Sequence, residues 1–164
     1  KSAASIVLIF NVLYFTNAIP PIPLALKEAG VYHGVKKYAD VYQLKAEPRE
    51  WYQQYLNYNT TFHRAPGERV YVFTAIFAPT NLSTTIIHDW EFYDEAEGKW
   101  VVKNSVAFAI NGGREKGYRG YSILDNVLPG KWRVNVKNGG KLVGRVSFAI
   151  ENVEETALTN VEEH

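Results

Sequence analysis

The stretch Arg69-Val70-Tyr71-Val72-Phe73-Thr74-Ala75-Ile76-Phe77 alternates with a period of two. Successive side chains of a strand point to opposite faces, so Val70, Val72, Thr74 and Ile76 share one face and Tyr71, Phe73, Ala75 and Phe77 the other. Both faces are apolar, which places the strand in the centre of its sheet.

The same texture runs on to residue 150. Thr85–Tyr93 sets Ile86, His88, Trp90 and Phe92 against Ile87, Asp89, Glu91 and Tyr93. Trp100–Val102, Val106–Ile110, Tyr118–Leu124, Lys131–Val136 and Leu142–Ile150 complete seven short strands with no helix between them. Asn138-Gly139-Gly140 is a hairpin turn, because these residues accept positive φ at small cost. Asn111-Gly112-Gly113 and Leu128-Pro129-Gly130 are turns too. The architecture this predicts is mainly β, an immunoglobulin-like antiparallel β-sandwich over 68–150.

Upstream, 27–67 reads as a connector. It holds a short strand over Tyr38–Leu44 and an amphipathic helix over Pro48–Asn57, with Trp51, Tyr52, Tyr55 and Leu56 on one face. Residues 1–26 read as a hydrophobic helix with a proline-rich exit. Ser2 to Leu26 has no charged residue, and the 18 residues before Pro20 reach about 27 Å as a helix, close to a bilayer core. This predicts attachment to a cell membrane through residues 2–26, with the side of the folded part left open. With no Met and a Lys at position 1, the chain reads as part of a longer protein. The tail over 151–164 has five Glu and no Lys or Arg, and reads as a frayed end or a short solvated helix.

Composition narrows the chemistry. Hydrophobic residues make up 46% and charged residues 21%, ordinary for a globular chain. The net charge of +1 gives no overall basis for binding nucleic acid. No Cys is present, which removes disulfides, thiol nucleophiles and thiolate zinc sites. His33, His63, His88 and His164 show no metal-ligand spacing, and no cofactor motif occurs. Ser122 lacks the second glycine of a nucleophile elbow. Neighbouring His88 and Asp89 point to opposite faces of a strand and cannot form a relay. No set of residues takes the roles of nucleophile, base and oxyanion donor, so the sequence reads as non-catalytic.

The sharpest binding signal is Gly112-Gly113-Arg114-Glu115-Lys116-Gly117-Tyr118-Arg119-Gly120-Tyr121. Arginine offers a planar fork to carboxylate or phosphate, and tyrosine offers a flat face. From Gly112 to Arg145 there are eight basic and two acidic residues, against the acidic run Asp89, Glu91, Asp94, Glu95 and Glu97. Two readings follow. In one, Arg114, Tyr118, Arg119 and Tyr121, with His88, form a site for an anionic or glycan ligand. In the other, the arginines pair with the acidic run, Tyr118 is a corner tyrosine and His88 is a hydrogen-bonded core residue. The matching functions are a membrane-anchored binding or sensory module and a structural domain that packs on its own membrane region or another copy of itself.

Val70-Tyr71-Val72-Phe73-Thr74-Ala75, His88-Asp89-Trp90-Glu91-Phe92-Tyr93, Gly112-Gly113-Arg114 with Gly117-Tyr118-Arg119, Gly130-Lys131-Trp132-Arg133-Val134-Asn135-Val136 and Leu142-Val143-Gly144-Arg145-Val146-Ser147-Phe148 occur in this order. The series resembles the bacterial domain-of-unknown-function family 2914 over 69–150. In one branch of that family the domain ends a multi-pass membrane protein, and Tyr14–Leu24 looks like the last span and exit of that branch. The resemblance implies no activity and no catalytic residue.

Overall fold

The computed structural model describes residues 5–7, 11–13, 24–39, 41–48, 60–78, 83–111, 118–155 and 158–164. Eleven strands build the described fold: β1 (Ala25–Tyr32), β2 (Gly34–Tyr38), β3 (Val41–Ala46), β4 (Thr60–Arg64), β5 (Val70–Phe77), β6 (Ser83–Asp94), β7 (Lys99–Asn111), β8 (Tyr118–Leu124), β9 (Gly130–Asn138), β10 (Lys141–Asn152) and β11 (Asn160–Glu163). They form a three-stranded sheet β1-β5-β8, a five-stranded sheet β4-β10-β9-β6-β7 and a second three-stranded sheet β11-β3-β2. The pairings are antiparallel except for β4 on β10, which is parallel.

The doubly apolar pattern of β5 explains the layering. Val70 and Val72 face the five-stranded sheet, where they meet Trp90, Trp132, Val134, Phe148 and Ile150. Phe73 and Ala75 face the small outer sheet, beneath Tyr42 and Leu44. The sheet β1-β5-β8 is therefore a middle layer with a hydrophobic seam on each side. Trp90 and Trp132 are buried edge to face, with ring centroids 6.5 Å apart. Their N–H groups donate to Ser122 Oγ at 2.9 Å and to the Leu128 carbonyl at 2.8 Å, so neither indole buries an unmet donor.

Several expectations are corrected. Trp100–Val102 and Val106–Ile110 are one strand, β7. Its register on β6 slips between Trp90 and Glu91, and Lys103 is the extra residue on the β7 side. The polar run Lys103-Asn104-Ser105 is a bulge that bends an edge strand and does not end it. Tyr38–Leu44 divides into β2 and β3, joined through Ala39 at φ 49°, a left-handed residue that composition does not reveal. Part of the acidic tail is strand β11 on β3, and neither frayed nor helical. The connector residues are woven into the sheets: β1 zips along β5, β4 lies on β10, and Val31 and Phe62 enter the main core.

The hairpin at 138–141 follows the expectation, with Gly139 at φ 52° and Gly140 at φ 80° between β9 and β10. The aromatic helix expected over Pro48–Asn57 lies outside the described residues except for Pro48, which is not helical. Most of the hydrophobic segment 1–26 also lies outside them; residues 5–7 and 11–13 are helical, and its last two residues, Ala25 and Leu26, are not helix or exit but the start of β1, paired with Phe77 and Ile76 of β5. Among the described residues no helix is long and apolar enough to cross a membrane.

Candidate functional site

Strand β8 divides the expected site between two faces. Tyr118 and Ser122 point toward the five-stranded sheet; Tyr121 points toward the outer sheet. Tyr118 is buried among Ile76, Ile86, Ile110 and Val136, and its hydroxyl has no hydrogen-bond partner among the described residues. Arg114 lies outside the described residues.

His88 is fully buried in the seam. Its Nε2 is 3.1 Å from Thr74 Oγ1, its Nδ1 is 2.8 Å from Ser122 Oγ, and the edge of Phe108 closes the ring in. Burial lowers its pKa from 6.5 to about 4, so the ring is neutral near pH 7. Ser122 and His88 are spaced like a nucleophile and its base. Both are sealed from solvent, and Ser122 Oγ already accepts the Trp90 N–H. The pair serves packing, as the core reading of His88 has it.

The acidic run meets its partners on β9 and β7. Lys137 Nζ lies 2.7 Å from Asp89, Arg133 and Asn135 donate to Glu91, Lys131 lies 3.7 Å from Glu95, and Lys99 pairs with Glu97. Burial works to raise the Asp89 pKa, but Lys137 and the Ser105 hydroxyl outweigh it and hold it below the usual value. Arg133 also stacks on Trp100, 4.2 Å from the ring centroid. Three of the eight basic residues of 112–145, Lys131, Arg133 and Lys137, are thus spent on a charge ladder across the outer face of the five-stranded sheet.

Tyr121, in contrast, is 38% exposed and belongs to an aromatic group at the junction with the outer sheet. Its ring centroid lies 6.4 Å from those of both Tyr71 and Tyr42, and Lys37 Nζ sits 5.6 Å from the Tyr42 centroid. The Tyr42 hydroxyl reaches the Arg119 carbonyl at 3.5 Å.

Beside this group opens a cleft of about 290 Å³, lined by His33, Lys36, Gln43, Lys45, Tyr71 and Val161 together with the Gly34–Val35 backbone. The register sets Lys36 opposite Gln43 and Gly34 opposite Lys45, and Val161 of β11 also faces Lys45. Gly34 leaves the space open: a Cβ there would meet Lys45 Cδ at 3.4 Å. Two lysines, an amide and a tyrosine thus meet around one concavity. Sequence reasoning missed it, because Lys36 and Lys45 fall in the stretch 27–67 that reads as a connector. The alternation Lys36, Gln43, Lys45 about a glycine was the available signal.

The back wall of the cleft is His33, with 3% of its side chain exposed. Burial works to lower its pKa, but the Glu47 and Glu68 carboxylates outweigh it and hold the ring above 6.5. Glu47 is the mirror case: burial works to raise it, while His33 and His63 hold it below 4.5. Among the described residues no group of His, Asp and Glu converges on a metal position.

The family match bears on one part of this chain. Residues 83–150 match the family described as "Protein of unknown function (DUF2914)". The DUF2914 match takes in β6 to β9 and most of β10, and leaves out the strands that line the cleft. No curated protein matches the chain.

Similar solved structures include an alkylpurine DNA glycosylase from Pseudomonas fluorescens, 14% identical with a TM-score of 0.45, covering 85% of this chain and 33% of the glycosylase. An immunoglobulin-like protein from Pseudomonas aeruginosa is 12% identical with a TM-score of 0.42, over 80% of this chain and 99% of that one. A β-glucosidase from Listeria innocua is 14% identical with a TM-score of 0.42, over 77% of this chain and 18% of the enzyme. The chain therefore spans about a third of the glycosylase and less than a fifth of the glucosidase.

Proposed function

We propose that this chain is a non-catalytic binding module of immunoglobulin-like character, held at a cell membrane through the charge-free run that precedes Leu24, as in the multi-pass branch of the DUF2914 family. Its ligand is an acidic glycan. The observation that carries the reading is the cleft, where Lys36 and Lys45 flank a glycine floor and Tyr71 supplies an aromatic wall. Lysine ammonium groups attract carboxylates, and tyrosine packs against the flat face of a sugar ring. Tyr121, whose ring lies 6.4 Å from that of Tyr71, extends the aromatic surface beyond the cleft. The charge-free run from Ser2 to Pro23 supports the anchor.

The test uses polygalacturonate as the acidic glycan and dextran as the neutral one. The full chain in detergent should retain on immobilised polygalacturonate and not on dextran, and release as salt rises, because exposed charges are screened over about 8–10 Å. The double variant Lys36→Ala/Lys45→Ala should lose retention with its melting temperature unchanged, since both side chains are exposed. Retention unaffected by the double variant sinks the reading. The other proposal, an assembly domain, draws on the long edge strand β7, where Val102 is 52% exposed. Concentration-dependent self-association without glycan retention would favour it.

A further inference from the structure

At the corner between β1 and β2, His33 is held between two carboxylates. Its Nδ1 lies 2.6 Å from Glu68 Oε1 and its Nε2 2.9 Å from Glu47 Oε1, and its ring stacks on Phe62 at 4.2 Å. An ionised carboxylate only accepts, so both contacts are hydrogen bonds only when the ring carries a proton on each nitrogen. Once neutral, the ring turns a bare lone pair toward one carboxylate, and with 3% of its side chain exposed the mismatch is costly.

The carboxylates tie this ring to the surrounding segments. Glu47, just after β3, accepts the His63 backbone N–H and meets its Nδ1, both at 2.7 Å. Glu68 accepts the Ala65 N–H at 3.0 Å, closing the turn before β5. The other charged groups around the cluster are Arg64 on β4, whose Nε donates to the Glu68 carbonyl, and Glu151 on β10, 4.0 Å from His63. Lys45 on β3 accepts the His33 backbone N–H through its carbonyl, and Lys36 stands across the cleft.

We propose that the second ring proton of His33 is the switch that sets the ligand cleft. With it, the β1–β2 corner, the end of β3 and the turn before β5 are drawn onto one imidazolium and the back wall is fixed. Without it the corner loosens and the cleft loses a positive charge. This regulation rests on the cleft being the ligand site. The sign follows from the directions already given. His33 is raised above 6.5, so its stabilisation is complete below 6.5 and lost as pH rises through the folded value. Glu47 is held below 4.5, so its share is present above 4.5 and lost as pH falls through the folded value. The clamp is closed in mildly acidic solution and opens on the alkaline side.

The experiment follows the full chain in detergent from pH 5 to 9. His33→Gln keeps one donor and one acceptor and does not titrate. The wild-type melting temperature should exceed that of His33→Gln most near pH 6, and the difference should shrink toward pH 9. A difference independent of pH overturns the proposal. Should the variant fail to fold, ring-nitrogen NMR of the wild type decides. A His33 midpoint above 6.5 with both nitrogens protonated at pH 6 supports the switch, and a midpoint at or below 6.5 overturns it. Polygalacturonate affinity should fall through the same midpoint. Affinity constant across that midpoint overturns the coupling of clamp to cleft. An absence of binding at every pH overturns the glycan reading alone, and the clamp is then judged by the melting difference.

Discussion

Ser122 shows how one hydroxyl can hold two buried rings. Trp90 donates to its Oγ at 2.9 Å, and His88 Nδ1 lies 2.8 Å away on the other side. Ser122→Ala removes both partners at once and leaves an indole N–H and an imidazole nitrogen dry and unmet. Each such group costs about 1–3 kcal/mol, so the variant should lose roughly 2–5 kcal/mol in a denaturant melt. Ser147→Ala, at an exposed position on β10, should stay within about 0.5 kcal/mol. Polygalacturonate binding by folded Ser122→Ala should match the wild type, because Ser122 faces the five-stranded sheet and the cleft opens on the other side. A Ser122→Ala loss below about 1 kcal/mol would mean that water enters the seam. The core position of His88 was legible, since it shares a strand face with Ile86 and Trp90. Its partners Thr74 and Ser122 were not, because they come from other strands and only the register brings them together.

Strands carry the difference between what local pattern tells and what long-range pairing adds. β5 and β6 announce themselves through alternation, and the β9–β10 hairpin through its glycines. β7 read as two pieces because a polar bulge resembles a loop. β11 read as a tail because Asn160–Glu163 has three polar residues in four, and its strand character comes from its partner. Tyr42 and His164 exchange backbone hydrogen bonds at 3.0 Å in both directions, Gln43 donates to Glu163 at 3.0 Å, and His164 Nδ1 lies 2.8 Å from Glu28. These contacts close the edge of β3 that β2 leaves open. Deleting residues 160–164 should therefore speed amide exchange on β3 while leaving β6 and β9 protected, because the main seam is untouched. It should also weaken polygalacturonate binding, since Val161 is part of the cleft wall. Unchanged exchange on β3 would show that β11 contributes nothing to the edge it covers.

At the scale of the whole molecule, the question is how little of the chain makes a fold. Read locally, 68–150 is complete, with alternating strands and enough large side chains for a core. The pairing argues otherwise. β1 runs along β5 from Ala25 opposite Phe77 to Tyr32 opposite Tyr71, so removing it strips one edge from the central strand. Cutting the chain back to residue 69 also takes Val31 and Phe62 out of the main core, and Tyr32, Tyr42 and Leu44 no longer cover Phe73 and Ala75. A large buried apolar side chain contributes about 1.5–3 kcal/mol, and losing five of them matches the 5–15 kcal/mol that holds a typical domain together. A fragment of residues 69–150 should show no cooperative melt. A fragment of residues 24–164 keeps Leu24 and Leu26 against the second half of the seam, with Leu26 packed onto Gly144. It should melt cooperatively, within a few degrees of the full chain. If the run before Leu24 is the anchor, this fragment should also stay in the supernatant without detergent while the full chain follows the membrane fraction. A cooperative melt from 69–150 would show that the strands of 25–64 are an addition to the sandwich and not part of its frame.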